Sequence, residues 1–443
     1  MPRFDPRPRL RRAWQTLRDK AMAYAGRFGK QTDEVLSGEP IDFSAPSIPY
    51  YENLASRLSF ARIVLYMVLL VFVVVTVISN HKLITYENLY YLAKDIGAAT
   101  QTAQSQADYI SYPISSAPAD FALYRGGVAI AGSEVVTAMS GSGRQTLSVN
   151  VAYADPCVRA SDKYCLTFGR GENSFAVYNA FVRVHRETTE FPVYDAAVGD
   201  NGSFAIVTRS RDYRSEVVIY DGNMEKLANY HLNGYVTGIA MNPEGDRLGV
   251  VSVESQNNLW VTKVTVIRIE NRITQESATV TGSFGSTCGF VTDDRFAVVL
   301  SDRLMVFKSD ATVTGEAFFE GKTPALAAIG RGSVAILSRA EGDLTGHTLT
   351  VYDRNARPSY TVDMNSDHPV TEAGDPTALT FGGDTLYLRA GDSLFRLTGN
   401  GATVTSVSVS RDTLAILPVS DDEVMVCTPA YAYRLDKDGF TRP

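Results

Sequence analysis

A short alternating strand that ends in a polar turn recurs seven times in this 443-residue chain, and that recurrence constrains the fold more than any other feature. It reads "SFAVYNA", "VVIYDGN", "VTVIRIENR", "LMVFKSD", "LTVYDRN", "LFRLTGNG" and "YAYRLDKDG". The last apolar residues before the turns are Tyr178, Tyr220, Ile269, Phe307, Tyr352, Leu397 and Leu435, at intervals of 42, 49, 38, 45, 45 and 38 residues. Period-two alternation marks a strand with two unlike faces, and a repeat of about 40–45 residues is that of one four-stranded propeller blade. A second repeat runs in phase upstream. "DAAVGDNGSFAIVTRS", "GIAMNPEGDRLGVVSVES", "CGFVTDDRFAVVLSDR" and "LAAIGRGSVAILSRA" each read strand, tight turn, strand. Their nearly continuous apolar runs fit inner strands buried between neighbours. One blade cannot cover both its faces alone, so the blades must close into a single ring.

The last repeat lacks an obvious outermost strand. The segment "DFALYRGGVAIAGSEVVTAMS", beginning at Asp120, precedes the first full repeat and is rich in strand signals. Either part of it completes the last blade, or it forms a blade of its own. The expected fold is therefore all-β: a single β-propeller of seven or eight four-stranded blades over residues 120–443.

What precedes the ring differs in kind. "IVLYMVLLVFVVVTVIS", Ile63 to Ser79, holds no charged residue and is long enough, at the short end, to span a bilayer as a helix. Soluble helices rarely lack a polar face and strands are shorter, so one transmembrane helix is expected over residues 61–80, with Arg62 snorkelling at its start. Residues 1–80 hold 11 Lys/Arg against 7 Asp/Glu, so of the overall −7 the remainder carries −11. The positive-inside rule puts the N-terminal tail and linker (1–60) in the cytoplasm and the acidic body outside. "SNHK" after the span is a poor cleavage site, which favours an uncleaved signal anchor. The tail, with Leu10, Trp14 and Leu17, is either a basic amphipathic helix on the inner leaflet or a disordered topogenic segment. "YENLYYLAKDIGAATQTAQSQA" has a helical pattern through Tyr86, Leu89, Tyr90, Ala93 and Ile96, so residues 81–119 read as an extracytoplasmic stalk.

A basic head, one span, an "NLYYLAKD" stalk and an external propeller resemble a family of membrane-anchored bacterial proteins of unknown function. Its propeller is similar to the WD40 and quinoprotein-like groups. The resemblance covers most of the chain and implies fold and plasma-membrane topology. Its motifs are structural, so it supplies no functional residues.

Chemistry is sparse. The sequence has no nucleophile elbow, no H-E-x-x-H, no P-loop and no sialidase box, and no cofactor is implied. Quinoproteins dock their blades with repeated tryptophans, yet only Trp260 lies in this ring. His185, His231, His347 and His368 have no metal-ligand spacing, and no catalytic or metal-binding set is expected. Asp200, in the "DNG" turn, and its counterparts in other repeats sit one per blade, as turn residues do. Cys157 and Cys165 stand eight apart in "CVRASDKYC", where a hairpin could bring them together as a disulfide. Cys288 and Cys427 read as free thiols in apolar strands.

Loop length points to one face. Within a blade, the connections from second to third strand and from fourth to the next inner strand open on the same side. The long ones are 208–216, 253–263, 338–348 and 363–376. Arginine recurs after the second strand as Arg170, Arg209, Arg303, Arg339 and Arg389, with Arg211 and Arg214 nearby. Guanidinium forks match carboxylate and phosphate. Either these seven residues serve an anionic ligand, or each pairs with a local acid among Glu172, Asp212, Asp302, Glu341 and Asp392. The sequence thus favours a non-catalytic binding or scaffolding protein of the cell envelope. Its partners would be the lipid bilayer and an envelope protein or anionic polymer, not nucleic acid. An envelope enzyme with a site in the central funnel and a transmembrane sensor are the alternatives.

Overall fold

The structure, a computed structural model, describes residues 58–72, 109–112 and 119–440, apart from 181, 270–272 and 343–345. Residues 58–72 are helical and exposed along their whole length. Among the described residues no helix is long and apolar enough to cross a membrane. Residues 73–80 of the expected span, the basic tail and the stalk pattern from Tyr86 to Ile96 lie outside the described residues.

From Tyr109 onward the architecture is all-β: seven antiparallel sheets, six of four strands and one of seven. The innermost strands are Ala119–Tyr124, Pro156–Ala160, the later half of Arg183–Val198, Tyr235–Met241, Gly285–Thr292, Lys322–Ile329, Pro376–Gly382 and Ala415–Pro418. Each lies against the next, and Ala415–Pro418 lies against Ala119–Tyr124, so eight inner strands close a ring.

The seven-stranded sheet is two four-stranded halves that share one strand. The first part of Arg183–Val198 pairs with Glu172–Tyr178, and its last part pairs with Phe204–Thr208. The sequence "RVHRETTEFPVYDAAV" holds no glycine or turn pair to break it, so the chain passes from an outer to an inner position as continuous strand. The two halves nevertheless pack face to face. Leu166, Phe168 and Phe175 of one share a core with Val198, Phe204 and Ile206 of the other. Seven further cores of this kind fill the remaining gaps round the ring. Every sheet therefore gives one apolar face to each neighbour, which explains the unbroken apolar runs of the second strands.

The ring closes with a strand from the far end of the chain. Tyr109–Ser111 pairs with Tyr431–Asp436 as the fourth strand of the last sheet. Residues 119–150 form a complete sheet of their own. The ring thus begins at Tyr109, eleven residues before the expected boundary at 120 and inside the segment read as stalk. Three residues, "YIS", are too few for alternation to announce a strand. The Tyr112 hydroxyl donates to the carbonyl of Thr428 at 2.7 Å. The nearly buried Arg434 pairs with Glu423 and donates to the carbonyls of Gly126 and Gly141 in the first sheet. A Cβ on Gly141 would come within 2.7 Å of that guanidinium, so only glycine admits the clasp.

The expected disulfide is absent. Cys157 lies opposite Phe168, and Cys165 lies opposite Ala160. Eight positions along this hairpin put the two thiols on opposite faces of the sheet, Cys165 in the core before it and Cys157 in the core after it. All four cysteines are free. Burial pushes the Cys165 and Cys427 thiols up to about 12.

Arg434→Ala leaves Glu423 and two carbonyls without their cation at the seam, and unfolding in urea should show a loss of about 3 kcal/mol. The exposed Arg411→Ala, whose ion pair is in water, should leave the midpoint unchanged. In the thiols, a raised folded pKa means the folded chain holds its protons more tightly. Their contribution is whole below the ordinary thiol value of 9.0 and is lost as pH climbs from there toward about 12. At about pH 8 Cys165 and Cys427 should resist iodoacetamide in the folded protein. After unfolding without reductant, mass spectrometry should count four adducts. Only two adducts would mean that a bond had formed.

Candidate functional site

The seven arginines of the sequence reading all fall on the face that carries the second-to-third strand connections, but most are already engaged. Arg303 is held by Asp302 and Glu316, both at 2.8 Å, and lies over the ring of Phe318. Burial would raise the Asp302 carboxyl, but hydrogen bonds from Arg303 and Ser283 outweigh it and hold the group below the usual range. Arg170 reaches Asp155 at 3.9 Å and the Cys157 sulfur at 3.3 Å. Arg339 meets Asp375 at 3.6 Å and His347 at 2.9 Å. Arg389 donates to the carbonyls of Thr413 and Arg411 at 2.8 and 3.1 Å. Of the acids expected to serve as local partners, only Asp302 pairs with its arginine. Glu172 instead accepts from the Ala154 amide, and Asp392 takes Arg411.

Arg209, Arg211 and Arg214 are different. They stand together on the loop between Phe204–Thr208 and Ser215–Tyr220 and line a cleft of about 870 Å³. Tyr194, Tyr213 and Tyr235 complete its walls, with Ser210, Ser215 and Asn233 between them. Arg211 pairs with Glu190 at 2.9 Å across open water, a contact worth little. Arg214 lies over the Tyr235 ring, 5.7 Å from its centre, and meets no carboxylate among the described residues. The Arg209 guanidinium has no partner among them, while its backbone amide donates to the Pro192 carbonyl at 3.2 Å and fixes the loop's first residue. Tyr213 stacks on His231, ring centres 4.8 Å apart, and fixes the loop's far end.

The connection at 253–263 is not the loop that sequence reading expected. Strands Arg247–Gln256 and Leu259–Arg268 run ten residues each to a two-residue turn at Asn257 and Asn258, with φ of 51° and 64°. Positive φ at both central residues is the turn that suits a twisted hairpin, and asparagine tolerates it. The inner strand stops at Tyr235, opposite Val253, whereas the hairpin continues to the Gln256–Leu259 pair. This arm carries Trp260, 54% exposed, edge-on to Phe284. Tyr235 was missed as a site residue because it sits in a strand-like run where an aromatic reads as core; Trp260 fell within the expected loop 253–263 and Phe284 in the Gly/Ser-rich stretch "TGSFGST", where nothing along the chain brings the two together.

On the opposite face, Asn201 caps the turn by accepting from the Ser203 amide at 2.8 Å, and Asp200 clips together the two halves of the seven-stranded sheet. Its carboxylate accepts from the Asp162 amide at 2.7 Å, and Gly202 supplies the positive φ. Asp421 does the same for Asp384 at 2.5 Å. In the centre, Arg159 bridges Asp120 at 3.4 Å and Asp195 at 2.9 Å, tying three consecutive inner strands. Among the described residues no cluster of histidine, cysteine or carboxylates could hold a metal.

Residues 102–434 match a family described as of unknown function (DUF5711), and the chain belongs to that family. No curated protein matches it. Among solved structures it is similar to Hsv2 of Kluyvelomyces marxianus, at 13% identity and TM-score 0.42, over 62% of this chain and 88% of that one. It is also similar to apo AztD from Citrobacter koseri, at 12% identity and TM-score 0.44, over 64% and 81%. A eukaryotic initiation factor matches at 13% identity and TM-score 0.41, over 70% and 93%. At this similarity nothing about function passes from those proteins to this chain.

Proposed function

We propose that this DUF5711 chain is a non-catalytic binding module of a bacterial envelope: an eight-bladed propeller tethered by a membrane-spanning helix over residues 61–80, with the cleft at Arg209, Arg211 and Arg214 as its binding site. The observation that carries the reading is the pair Arg209 and Arg214. In an otherwise acidic body they face a large open cleft, and although Asp212 also lines it, neither guanidinium is in an ion pair among the described residues. Two solvated guanidinium groups cost little unpaired, and each offers a fork that a carboxylate or phosphate can fill. The tyrosines around them supply rigid apolar area, as binding surfaces do.

The anchor rests on the apolar stretch and its flanking charge. Over residues 58–72 the side chains that a soluble helix would bury are exposed, Leu65, Leu69 and Phe72 among them. An enzyme in the central funnel is the weaker reading. The charged groups there, Asp120, Arg159 and Asp195, are spent on one another and on backbone amides.

Crosslinking and pull-down from membranes tests the site. The Arg209→Ala/Arg214→Ala variant should recover its partner at least about tenfold less than wild type, the loss of one to two charge-assisted contacts. An unchanged set of partners would remove the cleft from the reading. Topology is tested apart from this. Reporters fused to the two ends should place the N-terminus in the cytoplasm and the C-terminus outside, and an external N-terminus would overturn the anchor.

A further inference from the structure

The cleft and the projecting arm share a boundary at Tyr235. Its ring lies under Arg214, and its backbone ends the inner strand opposite Val253 at the base of the arm. Beyond that point the arm continues for three more pairs, to Gln256 and Leu259, so the edge from Glu254 to Gln256 has no inner strand beside it. Trp260 pairs with Ser255, two residues past Val253, which at about 3.3 Å per residue is some 7 Å further along. A basic pocket, an open strand edge and an exposed tryptophan therefore succeed one another within the span of a few extended residues.

The charge distribution narrows what fits. Residues 81–443 carry a net −11. A long polyanion bound at the arginines would have to run on over acidic surface, whereas a short segment with its charge concentrated at one end would not. The arm adds a second constraint. Glu254 lies on the open edge, so that end of the ligand cannot itself be acidic, and Trp260 with Phe284 offers apolar area there instead. Asp212 and Glu190 at the cleft leave it only modestly positive, which suits one or two carboxylates rather than a run of them.

We propose that this face binds a short extended peptide segment of a partner protein, with one or two acidic side chains on Arg209 and Arg214 and a large apolar side chain a few residues away against Trp260 and Phe284. The proposal rests on the reading of the cleft as a binding site. The recognition is that of a strand added at a sheet edge, in which backbone pairing gives affinity and the two side-chain contacts give selectivity. No bond is made or broken.

A random peptide display library panned on the detergent-solubilised full chain tests this. Enriched peptides should carry Asp or Glu a few positions from Trp, Phe or Leu. They should bind Arg209→Ala/Arg214→Ala at least about tenfold more weakly, and Trp260→Ala several-fold more weakly. Arg411→Ala, an exposed arginine on the same face outside the cleft, should bind as wild type. Enriched peptides without acidic residues, or peptides indifferent to the arginine variant, would overturn the proposal. So would binding of oligogalacturonate at the arginines with no peptide enriched, a result that leaves the cleft a binding site for glycan. Loss of peptide binding in all variants, Arg411→Ala included, at unchanged urea midpoints would overturn it as well.

Discussion

Everything in this molecule depends on one packing rule: each four-stranded layer has two apolar faces and must find a neighbour for both. A strand such as Phe204–Thr208 is buried at every position, alternate residues entering different cores. No layer is stable alone, and a row of them would leave a bare face at each end. Closing the row into a ring removes both ends at once. The cost falls on the seam inside the last layer, where strands from the two ends of the chain are held together by hydrogen bonds and packing alone. Here the seam is crossed by Tyr109–Ser111, by the Tyr112 hydroxyl and by the clasp of Arg434 on the first sheet. Residues upstream of the first complete layer are thus structural members of the last one.

The same geometry separates the two faces by task. On one, the turns after the inner strands are short and clip each layer to the next, as Asp200 does to the Asp162 amide and Asp421 to the Asp384 amide. Lengthening them would disturb a repeated contact. On the other, connections project away from the cores and can vary in length without touching the packing. The six-residue arginine loop and the Trp260 arm are of this second kind, whereas the short helix Pro369–Ala373, capped by His368, turns Val370 back into a core.

Much of the ring was legible because its rule is a rule about residue patterns. The interval between third strands located the layers, and the strand–turn–strand repeat located the inner pairs. What the pattern could not resolve were the points where local signals are weak or ambiguous. The closing strand is three residues long. The continuous strand Arg183–Val198 hides a boundary between layers because nothing in it turns. Cysteine spacing suggested a hairpin, which exists, but the side of the sheet each thiol takes depends on register, and register put them in different cores. The arginines were found as a set; which of them stay unpaired depends on distant partners such as Asp155, Asp375 and Thr413, and spacing along the chain carries no information about those.

The candidate site lies where the ring departs from its own regularity. Elsewhere an outer strand returns to the next inner strand through a turn or longer connection on the loop-bearing face. Between the two halves of the seven-stranded sheet that connection is missing, because one strand serves both. The arginine loop folds over this joint: Arg209 binds the Pro192 carbonyl and Arg211 binds Glu190, both on or beside the shared segment, and Tyr194 two residues on forms the cleft wall. A turn at 190–192 would stand in the space that the loop now covers. The unbroken run "ETTEFPVYD" is therefore a fold feature with a consequence for binding. It removes a connection from the variable face and leaves an open cleft in its place, whose other wall is Asn233, Tyr235 and Val236 at the start of the next inner strand.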